Sequence, residues 1–468
     1  MTETSYEVRI WTSKPRKNAQ GGVTSYPVRW RVGDRSHYRT FKTRALAESF
    51  RADLVSAARR GEAFYIAPPG LPVSAARRAI NQLTWFEFSQ RYVDLKWPRA
   101  AAKSRAGIAD TLATVTPELL ATERGKPDGK VLRRALTRWL FNTKQRQEDK
   151  PPEIVRALRW LESNTVPVSR LAEPGLMRQV LEQLASRMDG APAGAKTFTR
   201  KRAVLHNALE YAVELGELES NVLPRIRWTP PREAKGIDKR VAVNPNQARR
   251  LLRAVGQQWV EGQPRRSAGP GLVAFFGVMY YSALRPEEAA MLRKQDLNLP
   301  ERGWGELLVS ETAPVAGAAW TDSGQRRDRR HLKQRGRGEV RPVPCPPELT
   351  ELLHDHLSRF GAAGDGRLFR SLMGGDVAES TVARVWDRAR YAVFTADEYA
   401  SPLARRPYDL RHACVSTWLG SGVPSTQVAE WAGHSVAVLH QVYAKVLAGQ
   451  EDSARRRIEE ALKAGHEG

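Results

Sequence analysis

Cysteine is almost absent from this chain: 468 residues carry two, Cys345 and Cys414. They lie far apart without further partners, which argues against a disulfide framework and against a cysteine zinc site. Long apolar runs are missing too. The longest, Gly271 to Leu284, has 14 residues, short of the roughly 20 needed to span a bilayer as a helix. Met1 to Glu7 lacks the basic and apolar regions of a signal peptide, so the protein is expected to remain in the cytoplasm, where it is made. Acidic residues are comparatively few, 51 Asp and Glu against 75 Lys and Arg, leaving a formal charge of +24. Such an excess calls for a polyanionic partner, most commonly nucleic acid, with an anionic membrane surface as the competing reading that the short apolar run disfavours. Lysine is scarce beside arginine, the residue that grips phosphate in a two-pronged fork.

What is present divides into three stretches. Residues 5–41 alternate polar and apolar side chains around Gly21-Gly22 and Gly33-Asp34, which predicts strands at Tyr6–Trp11, Tyr26–Val32 and His37–Phe41. A helix from Thr43 to about Arg60 follows. This basic module, residues 1–66, is a candidate reader of a DNA groove, with Arg29 and Arg31 as candidate contacts. Ile66–Pro72 reads as a linker. From residue 84 to 223 the helical period dominates, predicting an all-helical domain with helices at Trp85–Leu95, Lys130–Phe141, Pro152–Leu161 and Lys196–Leu215. Arg200, Lys201 and Arg202, near the start of the last helix, are candidate phosphate contacts. After a proline-rich linker at 224–240, residues 241–468 read as a mostly helical domain. Two strands interrupt it, near Glu306–Ser310 and Glu339–Val343. The fold class is therefore multidomain and mainly α, with a small sheet at the N-terminus and another in the C-terminal domain.

The chemistry concentrates in that last domain. Leu284-Arg285-Pro286-Glu287-Glu288 sits where an apolar helix gives way to another; Pro286 suits a first helical turn, and Glu288 is placed to orient the Arg285 guanidinium. Lys333 is the sole lysine between Gln295 and Arg411, just before the second strand. Its ammonium proton is transferable to a departing oxygen, which a guanidinium proton is not. Tyr408 and Arg411, three apart, share one helical face. Gly433 reads as a helix stop, His434 follows it, and Ser435 is placed to cap the next helix. Tyr443 comes nine residues after His434. Two arginines can clamp a phosphate, an imidazole can hydrogen-bond it and a phenol can attack it. No metal ligand set accompanies them. Each motif alone has a plainer reading: a buried ion pair at Arg285 and Glu288, an exposed basic loop at Lys333, a capping His434 and a core Tyr443.

In this order and spacing, Arg285, Lys333, Tyr408-x-x-Arg411, Gly433-His434 and Tyr443 resemble the tyrosine recombinase family of phage-integrase type over about residues 240–450. Residues 84–223 resemble its core-binding (SAM-like) domain more weakly, and the N-terminal sheet resembles its arm-binding modules. The resemblance implies a site-specific recombinase that integrates or excises a mobile element through a covalent 3′-phosphotyrosyl intermediate. It further implies Tyr443 as the nucleophile, a catalytic set of Arg285, Lys333, Arg411 and His434, no cofactor and no metal. The implied partners are double-stranded attachment sites, three further copies of the chain on DNA, and a directionality factor. One position departs from the pattern: Tyr408 stands where the family usually has histidine, and as a poor base at neutral pH it is expected to donate a hydrogen bond to the phosphate. An amphipathic helix at Asp452–Lys463 is expected to dock on a neighbouring subunit or fold back. A relaxing topoisomerase of the same chemistry and a DNA-binding regulator without catalysis are the alternatives.

Overall fold

In the computed structural model, the described residues are 3–12, 14–20, 22–67, 70–74, 83–231, 238–258, 268–332, 338–371 and 373–447, with Arg455, Arg456 and Glu459. The chain is mainly helical, with small antiparallel sheets, and splits into two compact units. One holds Met1–Leu95 and Ala109–Thr229; the other holds Lys96–Ile108 and Pro230–Gly468.

In the first unit, the alternation at residues 5–41 produces the expected sheet. Val23–Val32 is its centre, pairing with Val8–Ile10 on one side and Arg35–Phe41 on the other. Period-2 geometry sends Val28, Trp30 and Val32 to one face. There they are buried with Ala47, Leu54 and Ala57 of the helix Arg44–Arg59. Thr43 caps that helix, its hydroxyl accepting from the Leu46 amide. The Ile66–Pro72 stretch does not run free. The Trp30 indole donates to the Gly70 carbonyl and Leu71 packs on the sheet's core, so its described residues belong to the module.

The helical part contains the expected helices at Trp85–Lys96, Pro152–Asn164 and Ala195–Glu214, with Pro174–Leu184 between the last two. The helix expected over Lys130–Phe141 is α only from Gly129 to Arg134 and widens into a π-helix at Ala135–Leu140. There the Phe141 amide reaches back five residues, to the Leu136 carbonyl.

The second unit is built around Val273–Tyr281, a helix buried nearly all round, as its uniformly apolar sequence requires. Helices Pro245–Gly256, Pro347–Phe360 and Glu379–Val393 enclose it, and the Phe276 and Trp386 rings sit 4.9 Å apart. Asn244 and Gln247 close a reciprocal cap on the first of these helices. Gly305–Val309 pairs antiparallel with Arg341–Cys345, close to the two predicted strands. Three shorter pieces complete the site: Asp409–Gly420, Ser425–Ala432 and Val436–Leu447. Among the described residues no helix is long and apolar enough to cross a membrane.

Candidate active site

Four separate segments bring arginines and one carboxylate together. The helix Val273–Tyr281 ends, and the chain turns through Ala283, whose φ of 50° lies in the left-handed region. For a residue with a Cβ that costs on the order of 1–2 kcal/mol. The turn frees the Ala283 carbonyl, which accepts from Arg411 Nη1. Two residues on, Arg285 precedes the single turn Pro286–Ala289, shorter than the sequence suggests. Glu288 reaches back to the Arg285 amide (2.9 Å) and holds its Nη1 (2.7 Å). The orienting role expected of Glu288 is thus present as geometry.

Glu288 does more than orient Arg285. It is 2% exposed and also receives both terminal nitrogens of Arg341, at 3.1 and 2.7 Å, while Arg411 Nη1 stands 4.0 Å away. Burial would raise this carboxyl's pKa, but Arg341, Arg285 and Arg411 outweigh it and hold it down to about 2. Three cations thus surround one anion, an excess of two positive charges that suits a bound phosphodiester. Arg411, wholly buried, donates from Nη2 to the Ala432 carbonyl and lies 2.8 Å from His434 Nε2. Arg285 Nη2 donates to the Gly433 carbonyl at 2.7 Å.

Gly433 has φ +62° and ends the Ser425–Ala432 helix, as expected. It is also required by space, because a Cβ there would collide with the Arg341 guanidinium. Ser435 caps the following helix, its hydroxyl accepting from the Val438 amide at 3.3 Å. His434, between them, is half-buried. Burial first, then the charges of Arg411 and Arg285, push its pKa down to about 3. It is therefore neutral at ordinary pH. Since Nε2 faces an arginine donor, the proton resides on Nδ1, which has no hydrogen-bond partner among the described residues. Arg411 Nε and Arg341 Nε are likewise buried without a described partner. A phosphate oxygen is the kind of acceptor these donors lack.

Tyr443 is 2% exposed and interrupts its own helix, with φ −110° and ψ 15°. Burial raises its pKa above the ordinary phenol value, against the lowering effect of nearby Arg411. Its hydroxyl lies 2.8 Å from Nδ1 of His412. Tyr408 precedes the Asp409–Gly420 helix and sets its ring edge-on to His412, with centroids 5.0 Å apart. Arg285, Arg411, His434, Glu288, Tyr408 and Tyr443 therefore converge. Lys333 and most of Asp452–Lys463 lie outside the described residues.

Two members of this cluster were not singled out from sequence. Arg341 occupies an inward register of its strand, alternating with buried Val343 and Cys345. A charged residue at such a position was the available signal. His412 lies one turn beyond Tyr408 on the same helix face.

The proposed DNA contacts fare unequally. Arg29 is exposed and Arg31 half-buried, on the sheet face opposite Trp30; Arg200 is exposed and Arg202 half-buried. Lys201 is already engaged, bonded to Thr114 (2.9 Å) and paired with Asp110 (3.0 Å). Its expectation as a phosphate contact is corrected to an internal ion pair. Among the described residues no group of three or more His, Cys, Asp or Glu is placed to hold a metal ion.

By sequence, residues 243–449 match the model of the phage integrase family. No curated protein matches the chain. Three solved structures are among those similar to the chain. A lambda integrase dimer bound to a COC′ core site is 12% identical, covering 93% of this chain and 95% of that one, with a TM-score of 0.49. The Tn1549 transposon integrase in complex with a circular intermediate DNA is 17% identical over 68% and 96%, with a TM-score of 0.48. The XerH site-specific recombinase bound to palindromic difH is 14% identical over 76% and 96%, with a TM-score of 0.40. The family match falls within the C-terminal unit, on the residues that build the site. The chain is thus similar to the phage integrase family over residues 243–449, somewhat under half of its length.

Proposed function

We propose that the protein cleaves and rejoins DNA strands at specific sites with Tyr443 as nucleophile, integrating or excising a mobile element. The observation that carries this is the charge imbalance beside a phenol: three arginines on one buried carboxylate, with Tyr443 near Arg411. The Tyr443 oxygen attacks the scissile phosphorus and forms a 3′-phosphotyrosyl ester, releasing a 5′ hydroxyl. Arg285 and Arg411 neutralise the developing charge on the non-bridging oxygens, and His434 donates from Nδ1. Lys333 protonates the leaving oxygen. The ester conserves the bond energy, so a second DNA's 5′ hydroxyl can attack it and reseal.

In this reading residues 1–66 form an arm-type DNA-binding module, 84–223 the core-binding domain and 241–468 the catalytic domain. Two exchanges through a four-way junction require four copies of the chain on DNA, and a directionality factor would select between integration and excision. Exposed Arg29 and Arg200, with half-buried Arg31 and Arg202, supply sequence-independent phosphate contacts. Work inside the bacterial cytoplasm, on the nucleoid, follows from the substrate.

The test uses DNA from the flanks of the protein's own coding sequence, randomly nicked and end-labelled. The wild type should form a detergent-resistant protein–DNA complex, and Tyr443→Phe should not. A wild type that binds this DNA yet forms no ester would overturn the proposal.

A further inference from the structure

Attack by Tyr443 requires loss of its phenolic proton, and the residue at the family's customary histidine position cannot take it. That residue is Tyr408, a second phenol. The geometry points to His412 as the general base for Tyr443, the imidazole being supplied one helical turn beyond Tyr408. The inference rests on Tyr443 being the nucleophile.

His412 Nδ1 lies 2.8 Å from the Tyr443 hydroxyl, within the distance over which a proton passes directly. The Tyr408 ring, edge-on at 5.0 Å, packs against the same imidazole. Other groups near the phenol are unsuited to the task. Arg411 is a permanent cation and gives protons up no more readily than it takes them. His434 Nε2 is already committed to Arg411 at 2.8 Å. Cys414 is buried, and burial raises its thiol far above the ordinary range. Glu288 is wrapped by Arg285 and Arg341.

The step balances with groups already named. The phenol proton passes from Oη to Nδ1 of a neutral His412 whose own proton is on Nε2. The freed electron pair on Oη forms the bond to phosphorus. The bond from phosphorus to the 5′ oxygen breaks, and that oxygen keeps its electrons and takes a proton from the Lys333 ammonium. On resealing the transfers reverse, and His412 returns the proton to the departing phenol. Tyr408 is then a positioning residue, holding the imidazole's plane rather than touching the phosphate.

The discriminating substitution is His412→Asn. A carboxamide oxygen near the place of Nδ1 still accepts the phenol's hydrogen bond but takes no proton, whereas His412→Ala removes both functions. On the nicked flanking DNA, both variants should bind as Tyr443→Phe does and unfold at the wild-type temperature. Both should form the covalent complex at least roughly 100-fold more slowly than wild type. If Asn cleaves at the wild-type rate while Ala is slow, His412 only positions Tyr443 and the inference is wrong. Once the cleaved phosphate is mapped, a substrate with sulfur as the bridging 5′ atom removes the need for a leaving-group acid. The His412 defect should persist on it; a defect erased by sulfur would place His412 at the leaving oxygen instead. The parent reading fails separately, through a wild type that makes no ester or a Tyr443→Phe that still does.

Discussion

Arginine does two different jobs in this molecule, and the contrast between the two units shows how. In the C-terminal unit Arg341 and Arg411 are buried and Arg285 mostly so, with guanidinium nitrogens engaged by Glu288 and by the carbonyls of Ala283, Ala432 and Gly433. In the N-terminal sheet, Arg29 and Arg31 extend from the face that the helix Arg44–Arg59 leaves uncovered. Buried guanidiniums are held in place before DNA arrives, so they can be complementary to a transition state. Exposed ones are screened by salt, and they contribute long-range attraction and phosphate contacts without fixed geometry.

The largest effect expected from breaking this contrast is at Glu288. Glu288→Gln leaves three buried guanidiniums without their counter-charge, and denaturant unfolding should show a loss of about 3–5 kcal/mol. Glu173→Gln, which breaks the half-exposed pair with Arg170 in the other unit, should cost under about 1 kcal/mol. Equal costs would dissolve the distinction. Gly433→Ala comes next. It combines a left-handed φ with a clash against Arg341, and should cost about 1–3 kcal/mol and slow covalent-complex formation at least tenfold. An unchanged cleavage rate would show that the Arg341 position does not matter to the chemistry.

Much of this site was readable because its signals are local. Arg285-Pro286-Glu-Glu288 is a helix start with its own carboxylate, and Gly433-His434-Ser435 is a stop followed by a cap. Both keep those roles in three dimensions. Arg341 and the pairing of His412 with Tyr443 were not readable. Their partners lie 53 and 31 residues away and meet only through tertiary packing. Lys201 failed in the opposite direction: a basic cluster on a helix suggested solvent, but Asp110 of another helix was already there. In the N-terminal module, strand alternation alone identified the buried and exposed faces, because a period of two needs no knowledge of the partner.

Smaller effects sharpen the exposed side of the comparison. The double variant Arg29→Ala with Arg31→Ala should weaken DNA binding. It should also make the fall of log affinity with log salt shallower, by about 0.9 for each phosphate no longer neutralised. Cleavage of DNA already bound should continue at the wild-type rate. An unchanged salt slope would remove these residues from the DNA-facing surface.

The mildest test is a pH profile of stability. His434 has a folded pKa near 3, against 6.5 for the free side chain. Between those values the unfolded chain binds a proton that the folded chain refuses, so stability declines as pH falls from about 6.5 toward 3. His434→Asn should flatten that decline relative to wild type. An identical slope would mean that His434 is not held neutral by burial and its arginine neighbours.

The central claim is that the arginine cluster serves Tyr443 and no other phenol, and peptide mapping of the DNA adduct tests it directly. Trypsin releases His412–Lys445, in which Tyr443 is the sole tyrosine, whereas Tyr408 falls in Arg406–Arg411. The nucleotide mass should be found on the first peptide, attached through Tyr443. Recovery of the adduct on the peptide that carries Tyr408 would contradict it.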